Sequence, residues 1–518
     1  MTTGEAGTRP GPAAAAAPGP RHGGPRRGRA AAWSVLLPVA VTGLVLAALA
    51  IRWSASHGVL SRVLVATAAG VVVLVLAGLL DRLLPAHGRR ADRIAAAVVV
   101  GLAVATRLPV SLSIESTPFS DFLAFYGAAL DFAAGGDPFG SDYFSTWAYQ
   151  TGFTLYEAAL LKVFGGVTAL LVANVLWMSG TCVLLYLCAR RIGGHRAAAL
   201  GVALLYVLYP GTAAYASVLT NQHIGAFLFY LGIVFLLRSA RPGPARDVVL
   251  WVVAGGAAIA VANIMRPLGP VFLGAAALAE VVLLVQGHHG LRRAVLRAAG
   301  LVVPYLAVGA LAGWAVAASG VNPHGLGNHL PEWKFAVGLN ADSGGGYSRE
   351  LSARVFEGGS PEVWQARTRD VVREELAELP RVWPRLFAAK LTEMYGKPDS
   401  WTWALSDQLA VSRDDRGPWA AFAYTMSWIE RGIFLLVTGL CAASCVLLLR
   451  RHRLPYAATL LGLVVVLYVG AHLIVEIQTR YRYELMPALF ALAAPAVARL
   501  LVLARARRVR RSSLHRRR

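Results

Sequence analysis

The sequence has few charged side chains for its length. Only 15% of its 518 residues are Asp, Glu, Lys or Arg, whereas 56% are apolar, and the mean hydropathy is +0.54. A soluble domain carries about 25% charged residues, because its surface has to be hydrated. The composition therefore excludes an ordinary water-soluble globule and predicts a membrane protein.

Cysteine is also scarce, and its positions exclude two kinds of stabilising site. The four cysteines all lie inside apolar runs: Cys182, Cys188, Cys441 and Cys445. Disulfide frameworks and structural zinc sites belong to small, loop-rich domains, and neither fits inside such a run. We expect these four residues to be packing residues.

Several motifs of soluble enzymes are missing. The sequence has no P-loop, no dinucleotide-binding G-x-G-x-x-G between a strand and a helix, and no G-x-S-x-G nucleophile motif. The glycines from Gly344 to Gly346 follow no apolar strand, which predicts a flexible loop. Neither the pair His288-His289 nor the pair Asp414-Asp415 has metal-binding partners that spacing identifies. The sequence thus predicts no required cofactor and no metal site.

What the sequence has instead is a series of long apolar runs. Their lengths, about 18 to 24 residues, match the roughly 20 helical residues that cross a bilayer core. The sequence predicts an all-α polytopic membrane protein with about twelve spans, in a range of eleven to thirteen. We place them near 32–51, 60–80, 94–112, 167–189, 197–216, 222–238, 248–266, 268–286, 296–318, 427–449, 454–475 and 483–504.

The net charge of +22 is concentrated between these runs. Arginine-rich short loops stay on the cytoplasmic side of a membrane, and here every basic short loop falls on one face. This pattern predicts cytoplasmic N- and C-termini and no nucleic-acid partner, and the Arg/Ala/Gly-rich usage favours a bacterial plasma membrane. The clusters are Arg82/Arg89/Arg90/Arg93, Arg190/Arg191/Arg196, Arg238/Arg241/Arg246, Arg292/Arg293/Arg297 and Arg450/Arg451/Arg453.

The run at 149–165 has two interpretations. As a thirteenth span it would place the arginines at 190–196 outside, against the rule that all the other loops obey. It is also only roughly 15 residues long and contains Glu157 and Lys162, which suits an interfacial helix on the external surface. We therefore expect an interfacial helix, with a short crossing as the alternative.

Two long segments then lie outside. The first is acidic, and its stretch SDFLAFYGAALDFAAGG predicts a helix that Ser120 caps, with Asp121 in the first turn and an apolar face that includes Phe122 and Phe125. The second is expected to be a small mixed or irregular region. The predicted segments are a disordered basic tail without a cleaved signal peptide (1–31), two N-terminal spans (32–93), a core of spans (94–318) containing the first external segment (113–165), the second external segment (319–426), the last spans (427–504) and a basic tail (505–518).

Several strings resemble the C-type membrane glycosyltransferases, above all family 39 and, in the D-x-x-x-Y-x-x-A part, family 87. They are RLPVSLSIESTPFSDFLAFYGAALDFAAGGDPF, YQTGFTLYEAALLKVFG, ARRIGG, NIMRPLGPVFL, KFAVGLNADSGGGYS and EIQTRYRYELMPALFAL. The resemblance runs from about Arg107 to Leu500, so the two N-terminal spans have no counterpart in it. Protein mannosyltransferases and lipid A aminoarabinose transferases are its nearest named members.

The resemblance implies an enzyme that moves a sugar from a polyprenyl-phosphate carrier to an envelope glycan, lipid or protein on the external face. Asp121 matches the family's catalytic acidic position, where a carboxylate takes the proton of the acceptor hydroxyl. The alternative is that Asp121 only favours the start of its helix through the macrodipole. A divalent cation occurs in this superfamily, but no feature here supports one.

The leaving lipid phosphate calls for cations near the outer leaflet. Arg266, in an apolar stretch at an external span end, is the first candidate, and snorkelling to the interface is its alternative. Arg480 and Arg482 follow, and snorkelling or pairing with Glu476 or Glu484 would explain either one equally well. Lys390 is weaker, because its amphipathic stretch favours a surface role.

Weaker candidates for substrate contacts are Tyr126, Glu157, Asn221 and His223. A single histidine at a span end is more often an interfacial residue with its hydrogen bonds satisfied. Two departures from the family pattern leave the sugar and acceptor open: Gln150-Thr151-Gly152 stands where many members have Pro-Pro, and Asn221-Gln222-His223 stands where an acidic residue is usual.

Two other classes of function fit part of the sequence. A secondary transporter or lipid flippase also has about twelve spans with cytoplasmic ends. Transporters, however, carry mid-membrane ionisable residues and two similar halves, whereas this chain has dissimilar halves and roughly 150 external residues. A noncatalytic envelope scaffold would leave Asp121 and Arg266 without a task. The sequence favours the transferase.

Overall fold

The computed structural model describes residues 25–85, 88–398, 400–411, 417–451 and 454–515, and most of these residues lie in helices. No strand occurs among them. In chain order the helices are α1 (Pro25–Ser56), α2 (Leu60–Leu83), α3 (Arg89–Ser113), α4 (Asp121–Ala133), α5 (Asp142–Thr146), α6 (Thr151–Phe164), α7 (Gly166–Gly193), α8 (Arg196–Val207), α9 (Pro210–Ala213), α10 (Gln222–Ser239), α11 (Ala245–Met265), α12 (Gly269–Val285), α13 (Leu291–Ala318), α14 (Trp333–Leu339), α15 (Arg349–Phe356), α16 (Pro361–Leu391), α17 (Ser400–Ala404), α18 (Ser406–Val411), α19 (Pro418–Leu449), α20 (Tyr456–Ile474) and α21 (Met486–His515). The predicted all-α class is confirmed.

Ten of the described helices are long and apolar enough to cross a membrane, which makes the chain a multi-pass membrane protein. The bent pair of α8 with the segment Pro210–Ser217 would make an eleventh span. The one remaining predicted span, near 268–286, corresponds to α12, an apolar helix of 17 residues. Twelve predicted spans thus correspond to ten long helices, one bent pair and one shorter helix.

The break after α8 follows from Pro210. A proline has no N–H, so the carbonyl of Tyr206 cannot receive the hydrogen bond that a continuous helix would supply. The guanidinium of Arg107 donates to the carbonyls of Tyr206 (3.3 Å) and Val207 (3.1 Å) instead. Arg107 is fully buried, and its hydrogen bonds stabilise the 53° bend between α8 and the segment Pro210–Ser217.

The connections between the long helices alternate between two ends of the bundle. The arginine-rich end has the short connections at 84–88, 194–195, 240–244, 286–290 and 450–455. The loop end has the long connections at 114–165, 319–417 and 475–485. At the arginine-rich end, arginines pair with acids of neighbouring helices, as in Arg196 with Asp81 and Arg297 with Glu280.

The second long connection differs from its prediction. The second external segment, 319–426, was expected to be a small mixed or irregular region, but the described part of the connection at 319–417 contains α14 to α18, and α16 alone has 31 residues. The mixed part of the prediction is therefore wrong. The apolar and charged residues of α16 recur at helical spacing, and this spacing is a sequence signal for a helix.

The run at 149–165 forms a 3₁₀ turn and α6, which has 14 residues. A helix of 14 residues is about 21 Å long, shorter than the roughly 30 Å hydrocarbon core. Its length therefore fits the predicted interfacial helix. Both predicted tails are partly helical: α1 begins at Pro25, inside the segment expected to be disordered, and α21 continues to His515. Residues 1–24 and 516–518 lie outside the described residues, as do Asp414 and Asp415.

The candidate functional site

A cavity of about 1150 Å³ opens at the loop end of the bundle. Three stretches that are far apart in sequence line it, within residues 119–150, 333–403 and 476–480. All three belong to the long connections, so the connections supply the side chains that line the cavity. The long helices anchor the ends of these connections. The aromatic residues in the lining are Phe119, Tyr143, Trp147, Tyr149, Trp333, Tyr347, Phe356 and Trp403.

Asp121 lines this cavity as the first residue of α4. Its carboxylate accepts a hydrogen bond of 3.2 Å from the hydroxyl of Tyr143. Burial and the charge of Asp121 raise the pKa of Tyr143 well above its ordinary value, so this hydroxyl remains a donor. The start of a helix also favours a negative charge. The site thus presents a half-buried carboxylate that is held in place and open to the cavity.

The helix that carries Asp121 is close to its prediction. Phe122 and Phe125 are buried, as the apolar face requires. The expected cap is wrong: Ser120 precedes the helix, but its side chain makes no capping hydrogen bond and its φ is 56°. At that left-handed backbone angle the chain turns sharply into α4. Such backbone angles are uncommon for a residue with a side chain.

Arg480 lines the cavity beside α4. Its guanidinium lies 4.4 Å from the ring centre of Phe122 and 5.0 Å from that of Trp403. Its Nε donates to Oε1 of Gln478 (2.6 Å), and within the described part of the chain it forms no ion pair. Aromatic faces hold a guanidinium without neutralising it. The positive charge of Arg480 therefore remains available to the cavity. It lies beside Phe122, the residue that follows Asp121.

Lys334 and Glu476 form an ion pair on another wall. Burial alone would lower the pKa of Lys334, but the charge of Glu476 raises it well above its ordinary value. The same pairing outweighs burial at Glu476 and lowers the pKa of that carboxyl. The backbone N–H of Glu476 also donates to the carbonyl of Lys334 (2.8 Å). These bonds attach α14 to the connection at 475–485.

The mouth of the cavity has further cations. Arg349 and Arg385 line it, are exposed, and form no ion pair with any carboxylate of the described chain. Among the acids, Glu393 pairs with Lys397, and Asp342 lies in the same lining. With Arg480, the lining has three arginines that form no ion pair with a carboxylate of the described residues. Such a lining suits a ligand that carries a phosphate or another anion.

The other predicted cations lie outside the lining. Arg266 is buried and ion-paired with Glu484, and its Nη1 donates to Oδ1 of Asn221 (2.9 Å). Arg482 pairs with Glu430 at 2.6 Å. Pairing was one of the alternatives for Arg482, but the partner is Glu430 and neither Glu476 nor Glu484.

Lys390 does not have the surface role that its sequence favoured. It is 1% exposed, and its ammonium donates to the carbonyls of Gly338 (2.6 Å), Leu473 (3.0 Å) and Val475 (2.8 Å). The three bonds join the end of α16 to α14 and to the end of α20. Lys390 thus holds the framework of the cavity together.

The four weaker candidates also lie away from the lining. Tyr126 packs with the cluster of Ala129 and Leu161, and the amide nitrogen of Asn221 donates to the carbonyl of Met265 (3.1 Å). The two ring nitrogens of His223 contact the hydroxyl of Tyr483 (2.9 Å) and the carbonyl of Tyr215 (3.0 Å). That arrangement matches the alternative of a satisfied interfacial histidine.

Glu157 is buried, and its Oε2 has no hydrogen-bond partner among the described residues. Burial raises the pKa of Glu157 to about 8. At neutral pH the side chain is therefore mainly a neutral carboxylic acid.

Sequence reasoning missed most of the lining. Tyr143 and Trp147 lie in DYFSTWAYQ, where a polar string rich in aromatic residues between two helix signals could have indicated a binding wall. Lys334 is a cation in an apolar string, which is the same signal that singled out Arg266. Among the described residues, no group of three or more His, Cys, Asp or Glu side chains is placed to hold a metal ion.

Comparisons with known proteins show a similarity to solved structures. No protein-family model matches the chain, and no curated protein matches it. A solved structure of ArnT from Cupriavidus metallidurans bound to undecaprenyl phosphate is similar at 19% sequence identity. The match covers 78% of this chain and 77% of that one, with a TM-score of 0.34. At this TM-score the similarity supports no inference about activity.

Proposed function

We propose that this protein is a membrane glycosyltransferase that moves a sugar from a polyprenyl-phosphate carrier to a cell-envelope acceptor. The observation that carries the proposal is the cavity in which Asp121 and Arg480 lie on adjoining walls. A carboxylate and an unneutralised guanidinium are the two groups that this reaction needs, one for the proton of the acceptor and one for the phosphate that leaves. The family resemblance of the sequence points to the same reaction.

In the proposed reaction an acceptor hydroxyl attacks the anomeric carbon of the carrier-bound sugar. The new bond joins the acceptor oxygen to that carbon, and the bond from the carbon to the phosphate oxygen breaks. The acceptor proton passes to the carboxylate of Asp121, and the electron pair leaves with the carrier phosphate. Tyr143 orients the carboxylate through its hydrogen bond. A single displacement of this kind inverts the anomeric centre, as the resemblance implies.

Arg480 is the proposed partner of the leaving phosphate. It lines the cavity, forms no ion pair with any acid that the structure describes, and stacks on rings that fix its position. Charge-assisted bonds to phosphate are about twice as strong as neutral ones. Arg266, Arg482 and Lys390 take part only indirectly in this proposal, because Arg266 and Arg482 are paired with glutamates and Lys390 donates to backbone carbonyls. They hold the stretch that carries Arg480.

The acceptor enters, in this proposal, between α15 and α16. Arg349 and Arg385 lie there at the mouth, and Tyr347 and Phe356 provide apolar ring surfaces. Such a wall suits a glycan or lipid that carries negative charge. The loop end would face the outside of a bacterial plasma membrane, because the arginine clusters mark the opposite end as cytoplasmic.

The test is sugar transfer by the purified full-length protein in nanodiscs. Radiolabelled polyprenyl-phosphate mannose and a crude envelope fraction serve as the first donor and acceptor, and polyprenyl-phosphate pentoses follow. We expect Asp121→Asn to lower the transfer rate about 100- to 10,000-fold, the range for loss of a general base. Carrier binding should persist, because the proposed phosphate partner is unchanged.

A matched control is Asp131→Asn. Asp131 belongs to the same helix and is exposed, but it does not line the cavity. It should transfer sugar at the wild-type rate. Equal transfer by Asp121→Asn and the wild type would remove Asp121 from the mechanism. Movement of the carrier across the bilayer, without transfer of any sugar tested, would instead identify a flippase or transporter.

A further inference from the structure

A second cavity lies at the arginine-rich end, opposite the cavity of Asp121. Its volume is about 520 Å³, and it lies where the ends of α7 and α19 meet the middle of α21. Ligand-binding pockets commonly have about 300 to 1,000 Å³. One side of the lining is apolar, with Ile192, Leu447, Leu448, Pro495, Ala498 and Val502.

Two adjacent glycines shape the wall that α7 contributes. A Cβ at Gly193 would lie 3.3 Å from the Cβ of Ala494, so the glycine lets α7 approach α21 closely. Gly194 ends α7 with a φ of +66°, in the left-handed region that favours glycine. The chain turns there and places His195 in the lining.

The other side of this cavity is basic. His195, Arg451 and Arg499 line it, and in the described chain neither arginine forms an ion pair. The Nδ1 atom of His195 is buried and has no hydrogen-bond partner among the described residues. Burial, together with the charge of nearby Arg505, lowers the pKa of His195. The ring is therefore mainly neutral at pH 7.

The arginines near this cavity differ in whether they form ion pairs. Arg190 pairs with Asp92, and Arg196 pairs with Asp81. These two arginines outside the lining thus have carboxylate partners, whereas Arg451 and Arg499 have none among the described residues. An unneutralised pair of arginines above an apolar wall is complementary to a molecule with an anionic head and an apolar tail.

We infer that this cavity binds an anionic phospholipid of the leaflet at the arginine-rich end. The phosphate lies between Arg451 and Arg499 and accepts a hydrogen bond from His195, while an acyl chain follows the apolar wall. A soluble anion would gain nothing from that wall, which is why the structure favours a lipid. Basic pockets between membrane helices on the cytoplasmic side are suited to anionic headgroups.

The lipid site is separate from the proposed transfer site. Its residues on α21 begin nine residues after Met486, so at 1.5 Å per residue they lie about 14 Å or more along the helix from the loop end. The inference therefore does not depend on the proposed function, and each can fail without the other.

The experiment is a lipid titration of the full-length protein in detergent, followed by native mass spectrometry. The probes are phosphatidylglycerol, phosphatidylcholine and inorganic phosphate. We expect one phosphatidylglycerol to bind with higher affinity than phosphatidylcholine. Each basic residue near an anionic headgroup contributes on the order of fivefold in affinity, so Arg451→Gln/Arg499→Gln should weaken binding about 10- to 30-fold.

Two further variants make the test specific. Arg450→Gln/Arg507→Gln removes the same charge from the end of α19 and from α21 but leaves the lining intact, so it should bind as the wild type does. Ala498→Phe keeps every charge and fills the space along the apolar wall, so it should also weaken phosphatidylglycerol binding. It replaces Arg451→Gln/Arg499→Gln as the test if that variant is unstable. Equal weakening by the control, equal binding of phosphatidylcholine, or binding of inorganic phosphate as tight as that of the lipid would each overturn the inference.

Discussion

At the scale of single residues, several cations at the loop end fall into two groups, according to whether they pair with an acid. Arg266, Arg482 and Lys334 each have a carboxylate partner, at Glu484, Glu430 and Glu476. Arg480 instead contacts Gln478 and aromatic rings, and it forms no ion pair within the described residues. A buried charge without a counter-ion is unfavourable for folding, so its retention is more readily explained by a ligand than by stability.

This division predicts opposite behaviour for two arginines. Arg266→Gln should destabilise the protein by about 3–5 kcal/mol, because it leaves Glu484 buried without its partner. Arg480→Gln should leave the Tm close to the wild-type value and weaken binding of the polyprenyl-phosphate donor about 10- to 100-fold, since a charge-assisted bond is lost. Thermal unfolding and donor titration on the same preparations measure both effects.

The double variant Arg266→Leu/Glu484→Leu is the control for this assignment. Removal of both partners of a buried pair is far less destabilising than removal of one. If Arg266→Gln is as stable as the wild type and binds the donor poorly, Arg266 belongs to the site, and the proposed division of roles is wrong.

Glu157 predicts a dependence of stability on pH. Its pKa is about 8 in the folded protein, whereas an unfolded chain has a glutamate pKa of about 4.3. Between these values the folded state holds a proton that the unfolded state has lost. The stability due to this group is therefore complete below about pH 4 and is lost as the pH rises toward 8, by at most about 1.4 kcal/mol per pH unit.

Glu157→Gln should abolish that contribution, because glutamine does not ionise. Melting curves from pH 5 to pH 9 should show a smaller loss of Tm in the variant than in the wild type. The difference between the two slopes isolates Glu157 from other titrating groups. Parallel slopes would mean that Glu157 has a partner or reaches water in the folded protein, and would contradict the prediction.

At the scale of elements, the cavity depends on how α14, α16 and the connection at 475–485 are joined. Lys390 makes three of these bonds, and the N–H of Ile477 donates to the carbonyl of Gly345 (3.0 Å). The glycine triplet, expected to be a flexible loop, therefore includes a residue at the centre of a junction. Its two neighbours, Gly344 and Gly346, line the same cavity as Asp121.

Gly345→Ala should disturb this junction. The residue has a φ of +80°, and a Cβ would lie 2.5 Å from Cε of Lys390 and 2.9 Å from the carbonyl oxygen of Gly338. Strain at such a position is on the order of 1–3 kcal/mol. We expect limited proteolysis to cut the connection at 319–417 faster and transfer activity to fall.

Gly346→Ala is the matched control. Its φ is not in the left-handed region, and the nearest atom to a Cβ there is the carbonyl oxygen of Ser343, at 3.6 Å. Proteolysis at the wild-type rate is expected. If both variants behave alike, the junction at Gly345 is not what holds the wall.

At the scale of the whole molecule, the orientation in the membrane decides whether Asp121 can meet an external acceptor. The four native cysteines are buried, so an introduced cysteine can be labelled on its own. Glu357→Cys at the loop end should react with a membrane-impermeant maleimide in intact cells. Arg241→Cys at the arginine-rich end should react only after permeabilisation.

Both positions are exposed, so access to the reagent and not burial sets the outcome. The reverse pattern would place the cavity of Asp121 in the cytoplasm. It would contradict a reaction at the external face, whatever the substrate.

Apolar length and arginine placement are local properties, and for that reason the sequence by itself determined the all-helical membrane class and the long spans. It also placed α4 and its buried face, since a helix face is visible in the spacing of Phe122 and Phe125. It predicted Asp121 and Arg480, which do line one cavity.

Only the tertiary structure decided which charges are neutralised. Arg266, Arg480 and Arg482 look alike in sequence, but Arg266 pairs with an acid of the connection at 475–485, Arg482 pairs with an acid of α19, and Arg480 pairs with no acid in the described chain. Ion pairs form between residues far apart in the chain, and their register depends on how helices pack. Spacing along one helix cannot encode that packing, and therefore the lining of the cavity and the burial of Lys390 had to be seen in three dimensions.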